Sequence, residues 1–143
     1  LIRRFHNAKL KNEPCVVCWG SGAPKREFLY VDDLAEACIF ALENISSNDD
    51  LLFDNESKFN GIVNIGTGKD ITIKELAELV SIETDYKGEI LWDLSRPDGT
   101  PRKLLDVSKA SKFGWSAKTD IKEGVRLTFE SFKKELRDNT LRT

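Results

Sequence analysis

The sequence predicts an α/β fold in which helices alternate with short strands of a small sheet. Three observations predict it. Short runs rich in β-branched and aromatic residues, CVVCW (15–19), REFLYV (26–31), GIVNIG (61–66) and EILWDL (89–94), read as strands. Between and around them, apolar residues recur at three- and four-residue spacing, the period of a helix packed on one side. The chain has 143 residues, 40% of them hydrophobic and 32% charged. That composition belongs to a globular protein, and that length buries a real core.

Leu1, Ile2, Phe5 and Ala8 place a helix over 1–11, which Asn12 and Pro14 end. CVVCW is the first strand. GSGAP (20–24) is a turn, read as the tip of a hairpin whose second strand is REFLYV. Asp32 or Asp33 caps the next helix, with Leu34, Cys38, Ala41, Leu42 and Ile45 on one face. Residues 46–60 have no period and many turn formers, which predicts a flexible loop. GIVNIG follows as a buried strand, and TGKD turns into ITIKELAELV. There Thr72 and Glu75 form a T-x-x-E capping box, and Ile73, Leu76, Ala77 and Val80 form the apolar face. EILWDL leads into a polar loop, SRPDGTPRK (95–103), stiffened by two prolines. LLDV is extended, and a short helix ends at Gly114. The last helix opens at Asp120 and Glu123 and carries the stripe Ile121, Val125, Phe129, Phe132 and Leu136.

Composition excludes several classes of function. With 22 basic and 24 acidic residues, the formal charge of −2 leaves no basic excess for nucleic acid. No apolar run reaches the length of a membrane span. Three cysteines, Cys15, Cys18 and Cys38, fit a reducing, cytoplasmic setting better than a secreted disulfide scaffold. The absence of methionine, together with a start already in helical pattern, is expected of the C-terminal part of a longer protein.

The pair Cys15 and Cys18 has the spacing of a redox or zinc motif, but residues three apart on a strand point to opposite faces. No second ligand pair exists for zinc, so no metal site is expected. His6, the one histidine, lies among Arg4 and Lys9 without triad or metal partners near it in sequence. WGSG lacks the full G-x-G-x-x-G and is followed by a strand rather than a helix, so it is no dinucleotide fingerprint. The turn does put Trp19 and Arg26 at its two ends. A planar ring and a bidentate guanidinium so placed suit an aromatic base beside a phosphate. The 95–103 loop adds Arg96, Asp98, Arg102 and Lys103, and loops are where binding residues concentrate.

RRFH, VVCWGSGAPKREFLYVDDLAEA, VNIGTGKDITIKELAELV and RPDGTPRKLLDVSKASKFGW run in an order and spacing that resemble the C-terminal part of the GDP-L-fucose synthases. These are GDP-4-keto-6-deoxy-D-mannose 3,5-epimerase-4-reductases of the extended short-chain dehydrogenase superfamily. REFLYVDDLA with VNIGTG is the broad signature, and PDGTPRKLLD the narrower one. The resemblance covers nearly all of the chain except 46–60, and implies a single substrate-binding domain over 1–143. The fold class it implies is α/β, the C-terminal part of an extended short-chain dehydrogenase fold that lacks most of the Rossmann domain.

Carried over by position, it implies GDP-sugar contacts at Arg4, Trp19, Arg26 and Asp98, with Lys103 nearby. It implies an NADP(H) site, a Ser-Tyr-Lys reduction set and a Cys/His acid–base pair, all upstream of Leu1, so no catalytic or cofactor-binding residue is expected within 1–143. It implies pairing with an N-terminal Rossmann part and a homodimeric, cytoplasmic enzyme. Two alternatives stand beside it. The chain could be part of another nucleotide-sugar epimerase or dehydratase, which a panel of GDP-, UDP- and dTDP-sugars separates. It could also be a stand-alone nucleotide-sugar-binding module, which the coding sequence upstream of Leu1 decides.

Overall fold

Five helices and five short strands follow one another along the chain in a computed structural model that describes residues 1–141. The last two residues of the expected 1–143 span lie outside the described residues. The helices are α1 (Ile2–Leu10), α2 (Val31–Asn44), α3 (Ile73–Thr84), α4 (Ser108–Phe113) and α5 (Ile121–Arg137). The strands are β1 (Cys15–Trp19), β2 (Lys25–Glu27), β3 (Asp70–Thr72), β4 (Glu89–Asp93) and β5 (Arg102–Lys103). The chain divides into two compact units. Of the described residues, one holds 1–26, 71–103 and 121–141, and the other holds 27–70 and 104–120.

In the first unit, β1 pairs in parallel with β4, from Cys15 opposite Glu89 to Trp19 opposite Asp93. A second ladder has the order β3-β2-β5, with Lys25 opposite Arg102 and Arg26 opposite Lys103 in parallel. The expected hairpin is therefore corrected. β1 and β2 flank one turn but join different sheets, because each finds a parallel partner distant in sequence. Val16 and Cys18 point into the core while Val17 and Trp19 point out. Cys15 and Cys18 diverge accordingly, and all three cysteines are free thiols.

Phe5, fully buried, meets Tyr86 edge to face, with centroids 5.5 Å apart. Leu76, Ala77 and Val80 of α3 and Val125, Phe129 and Phe132 of α5 complete that core. Leu136, expected in the α5 stripe, is 45% exposed, one residue before the helix ends. His6 lies edge-on to Phe129 and Phe132, a packing role. The capping box forms as read. Glu75 N donates to Thr72 Oγ1 at 3.0 Å, and Thr72 N donates to Glu75 Oε2 at 2.7 Å.

In the second unit, Ala37, Ala110 and Trp115 are buried together, with Leu29, Phe40, Val63, Ile65 and Ala117 packed around them. The capping role expected of Asp32 or Asp33 is corrected. Tyr30 stands at the N-cap of α2, where no side-chain hydrogen bond caps the helix. Asp33 is instead buried and accepts the N–H groups of Lys118 and Thr119 and the Thr119 hydroxyl. Asp33 and Ala37 face inward, and Leu34, Cys38 and Leu42 of the expected apolar face are exposed. The buried strand expected at GIVNIG is corrected: it forms no ladder among the described residues, and Ile62 is 74% exposed. Within 46–60, a 3-10 turn (Asp50–Leu52) precedes an antiparallel bridge between Phe53 and Phe59.

Candidate functional site

The candidate site belongs wholly to the first unit and begins where β1 ends. After Trp19, Gly20 and Gly22 take φ of +76° and +75°. Those left-handed values favour residues without a Cβ. Gly20 also faces the Asp98 carboxylate so closely that a Cβ there would collide with Oδ1. Between the two glycines, Ser21 N donates to Asp98 Oδ1 at 2.8 Å and Ser21 Oγ donates to Asp98 Oδ2 at 2.6 Å. Ala23 N donates in turn to Ser21 Oγ at 3.1 Å. A second fastening follows, where Lys25 N donates to the Pro101 carbonyl at 2.8 Å and β2 pairs with β5. The 95–101 loop is thus tied to the 20–24 turn at two points.

Trp19 is 69% exposed, an unusual position for so large a ring. The Arg96 guanidinium lies over it, 5.2 Å from the ring centroid. Arg96 is itself held by Asp93. Its Nε lies 3.7 Å from Asp93 Oδ2, and its N–H donates to the Asp93 carbonyl at 3.2 Å. Ser95 N donates to Asp93 Oδ1 at 3.0 Å, which sets the turn. Arg26, half-buried, donates from Nη1 to the Lys25 carbonyl at 2.6 Å, and its Nη2 lies 3.2 Å from where a Cβ on Gly99 would stand. Lys103 is exposed beside it across the β2–β5 ladder.

Of the five residues read from sequence, Trp19, Arg26, Asp98 and Lys103 are brought together by one turn and one loop. Arg4 comes from α1 and sits near Cys18. Burial pushes the Cys18 thiol up, and the Arg4 charge partly offsets this. The bonds from the Ser21 hydroxyl and N–H hold the Asp98 carboxyl below the usual aspartate range. Sequence reasoning missed Ser21, Asp93 and the stacking of Arg96. The D-x-S spacing of Asp93 and Ser95 is a local turn signal that reveals one of these. The pairing of Ser21 with Asp98, 77 residues apart, has no local signal. A ring, two guanidinium groups and an ammonium arranged in this way suit an anionic ligand that carries an aromatic base.

Residues 1–66 match the NAD dependent epimerase/dehydratase family. GDP-L-fucose synthase of Escherichia coli is 44% identical over 92% of the chain, and GDP-L-fucose synthase 1 of Arabidopsis thaliana is 44% identical over 95%. The chain is homologous to the GDP-L-fucose synthases. It spans 40% and 38% of those two relatives' own lengths. A GDP-mannoheptose C4 reductase from Campylobacter jejuni, solved with NADP bound, superposes with a TM-score of 0.78 at 35% identity. That match covers 92% of this chain and 43% of the reductase. The fold is that of a C-terminal part of the extended short-chain dehydrogenase enzymes, as the motifs shared with GDP-L-fucose synthase predict. Among the described residues, no helix is long and apolar enough to cross a membrane.

Proposed function

We propose that this chain is the GDP-sugar-binding portion of a GDP-L-fucose synthase. The whole enzyme converts GDP-4-keto-6-deoxy-D-mannose to GDP-L-fucose by 3,5-epimerisation and NADPH-dependent 4-reduction. The observation that carries the reading is the joined turn and loop, which gather Trp19, Arg26, Arg96 and Lys103 on a framework homologous to those enzymes. Arg4, Arg26 and Lys103 offset diphosphate charge, Trp19 packs on a ring of the ligand, and Asp98 belongs to the same surface. Holding the nucleotide end turns remote binding energy into orientation of the sugar over the nicotinamide.

No G-x-G-x-x-G occurs in this chain, and the reading places NADP(H) on the N-terminal Rossmann part. Reduction and epimerisation belong to the N-terminal Rossmann part. The exposed apolar face of α2, with Leu34 at 44%, Ile39 at 56% and Leu42 at 86%, supports packing against such a partner. A cytoplasmic homodimer is the assembly this reading expects.

The test is calorimetric titration with GDP and UDP at moderate salt. GDP is expected to bind weakly but more tightly than UDP. Loss of a charge-assisted contact costs about 1.5–3 kcal/mol, so Arg26→Ala should weaken GDP binding by roughly ten- to a hundred-fold. Lys58→Ala, at an exposed charge outside the turn and loop, should change almost nothing. Equal binding of the two nucleotides, or an Arg26→Ala variant no worse than Lys58→Ala, would overturn the reading.

A further inference from the structure

We propose that Trp92 is a positioning residue for the nucleotide-binding surface, acting on the 20–24 turn through its packing against Gly22. This deepens the GDP-sugar reading and rests on it. Trp92 stands on β4 opposite Cys18, which is buried, so the two side chains share the inner face of that ladder. The half-buried indole reaches beyond the end of β1 and lies against Gly22. A Cβ on Gly22 would stand 2.6 Å from Trp92 Cη2 and 2.8 Å from Cζ2 and Cζ3. Gly22 also holds a φ of +75°, which any side chain would strain. The backbone of the turn thus rests directly on the ring.

The start of α3 holds the same turn by its backbone. Ile73 N donates to the Pro24 carbonyl at 3.0 Å, and Lys74 N donates to the Gly22 carbonyl at 2.9 Å. These are the first two residues of the helix, whose N–H groups find no acceptor inside it. Gly22 is therefore fixed by its carbonyl to α3 and by its Cα to Trp92, while Trp19 precedes it and Arg26 follows it. A short turn pinned at its middle passes any shift of that middle to both ends. Groups set in place before a ligand arrives cost less to order when it binds. The alternative is that Trp92 is core packing alone. Its loss would then lower stability and leave the affinity of the folded chain unchanged.

The experiment titrates the chain with GDP and follows its urea unfolding in parallel. Trp92→Leu is expected to weaken GDP by about tenfold, through loss of a preorganised turn. Trp92→Phe, which keeps a ring against Gly22, should bind within about threefold of the parent. Gly22→Ala tests the same contact from its other side and should weaken GDP at least as much as Trp92→Leu. Val80→Ala, at a buried site about two turns further along α3, should lower the urea midpoint and leave GDP affinity unchanged. On an Arg26→Ala background, Trp92→Leu should cost less than it does alone, because part of its effect runs through Arg26. Both Trp92 variants retain only Trp19, which is exposed, and Trp115, which is buried. Fluorescence anisotropy at the red edge, where the exposed ring emits, should be lower in Trp92→Leu than in Trp92→Phe. A silent Gly22→Ala, a Trp92→Leu variant that unfolds earlier yet binds GDP like the parent, or a Val80→Ala variant that loses as much affinity would overturn the positioning role while Arg26→Ala still upholds the nucleotide site. If Arg26→Ala is silent, the nucleotide reading itself falls.

Discussion

The Glu27 carboxylate receives the backbone N–H of Gly68 at 2.6 Å, a contact between segments 41 residues apart. Its other oxygen receives the N–H of Leu105 at 3.0 Å, and Thr67 Oγ1 donates at 3.3 Å. Glu27 therefore gathers the 66–68 turn and the segment leading to α4 within the second unit. Glu27→Gln keeps the shape and loses the charge, so stability should fall by about 1.5–3 kcal/mol, read as a lower urea midpoint. Gly66→Ala should be as harmful or worse, because its Cβ would collide with Glu27 Oε1.

The same carboxylate predicts a pH dependence. Burial pushes the Glu27 pKa up, but the bonds from Leu105, Gly68 and Thr67 outweigh it, and the net direction is down. A group depressed in the folded state stabilises above its unfolded pKa and loses that contribution as pH falls through its folded value. The urea midpoint should therefore drop below about pH 4, and it should drop less in Glu27→Gln. A parent and variant with parallel pH profiles would contradict the assignment.

Asp33 makes a comparable clamp from a buried position. Its Oδ2 accepts Thr119 N at 2.9 Å and Lys118 N at 3.1 Å, and its Oδ1 accepts Thr119 Oγ1 at 3.0 Å. Asp33→Ala leaves those donors without a partner, a cost of about 3 kcal/mol. Amide hydrogen exchange at Lys118 and Thr119 should accelerate more than at the α3 amides of the other unit.

At the start of α3, Thr72→Ala removes half of the capping box. The expected loss is about 1 kcal/mol, and Thr72→Ser should restore most of it. Chemical denaturation of the three proteins measures this.

Phe5 is fully buried against Tyr86. Phe5→Ala should cost about 3–5 kcal/mol, whereas Phe5→Leu, closer in volume, should cost less than half as much. Thermal melts of the two variants separate a packing loss from a general intolerance at that position.

Several features that depend on neighbours within a turn or two were legible in the sequence, although the cap of α2 was not. The T-x-x-E box marked the start of α3, and its apolar residues Leu76, Ala77 and Val80 are buried. Val125, Phe129 and Phe132 of α5 are buried as their spacing required, and alternation along CVVCW separated Cys15 from Cys18. Residue chemistry marked the turn and the 95–103 loop as the place where a ring and cations meet. Tertiary structure decided the rest, because it depends on partners far along the chain. β1 chose β4 and β2 chose β5, so an apparent hairpin became a junction between sheets. On α2, apolar residues occur all around the helix, and periodicity could not say which side faces Trp115. The buried side carries Ala37 and Asp33, whose carboxylate is bonded to residues 118 and 119, 85 and 86 positions away. The Ser21–Asp98 pairing is the same kind of decision, since a serine between two glycines and an aspartate in a distant loop meet only when folding brings them within hydrogen-bond reach.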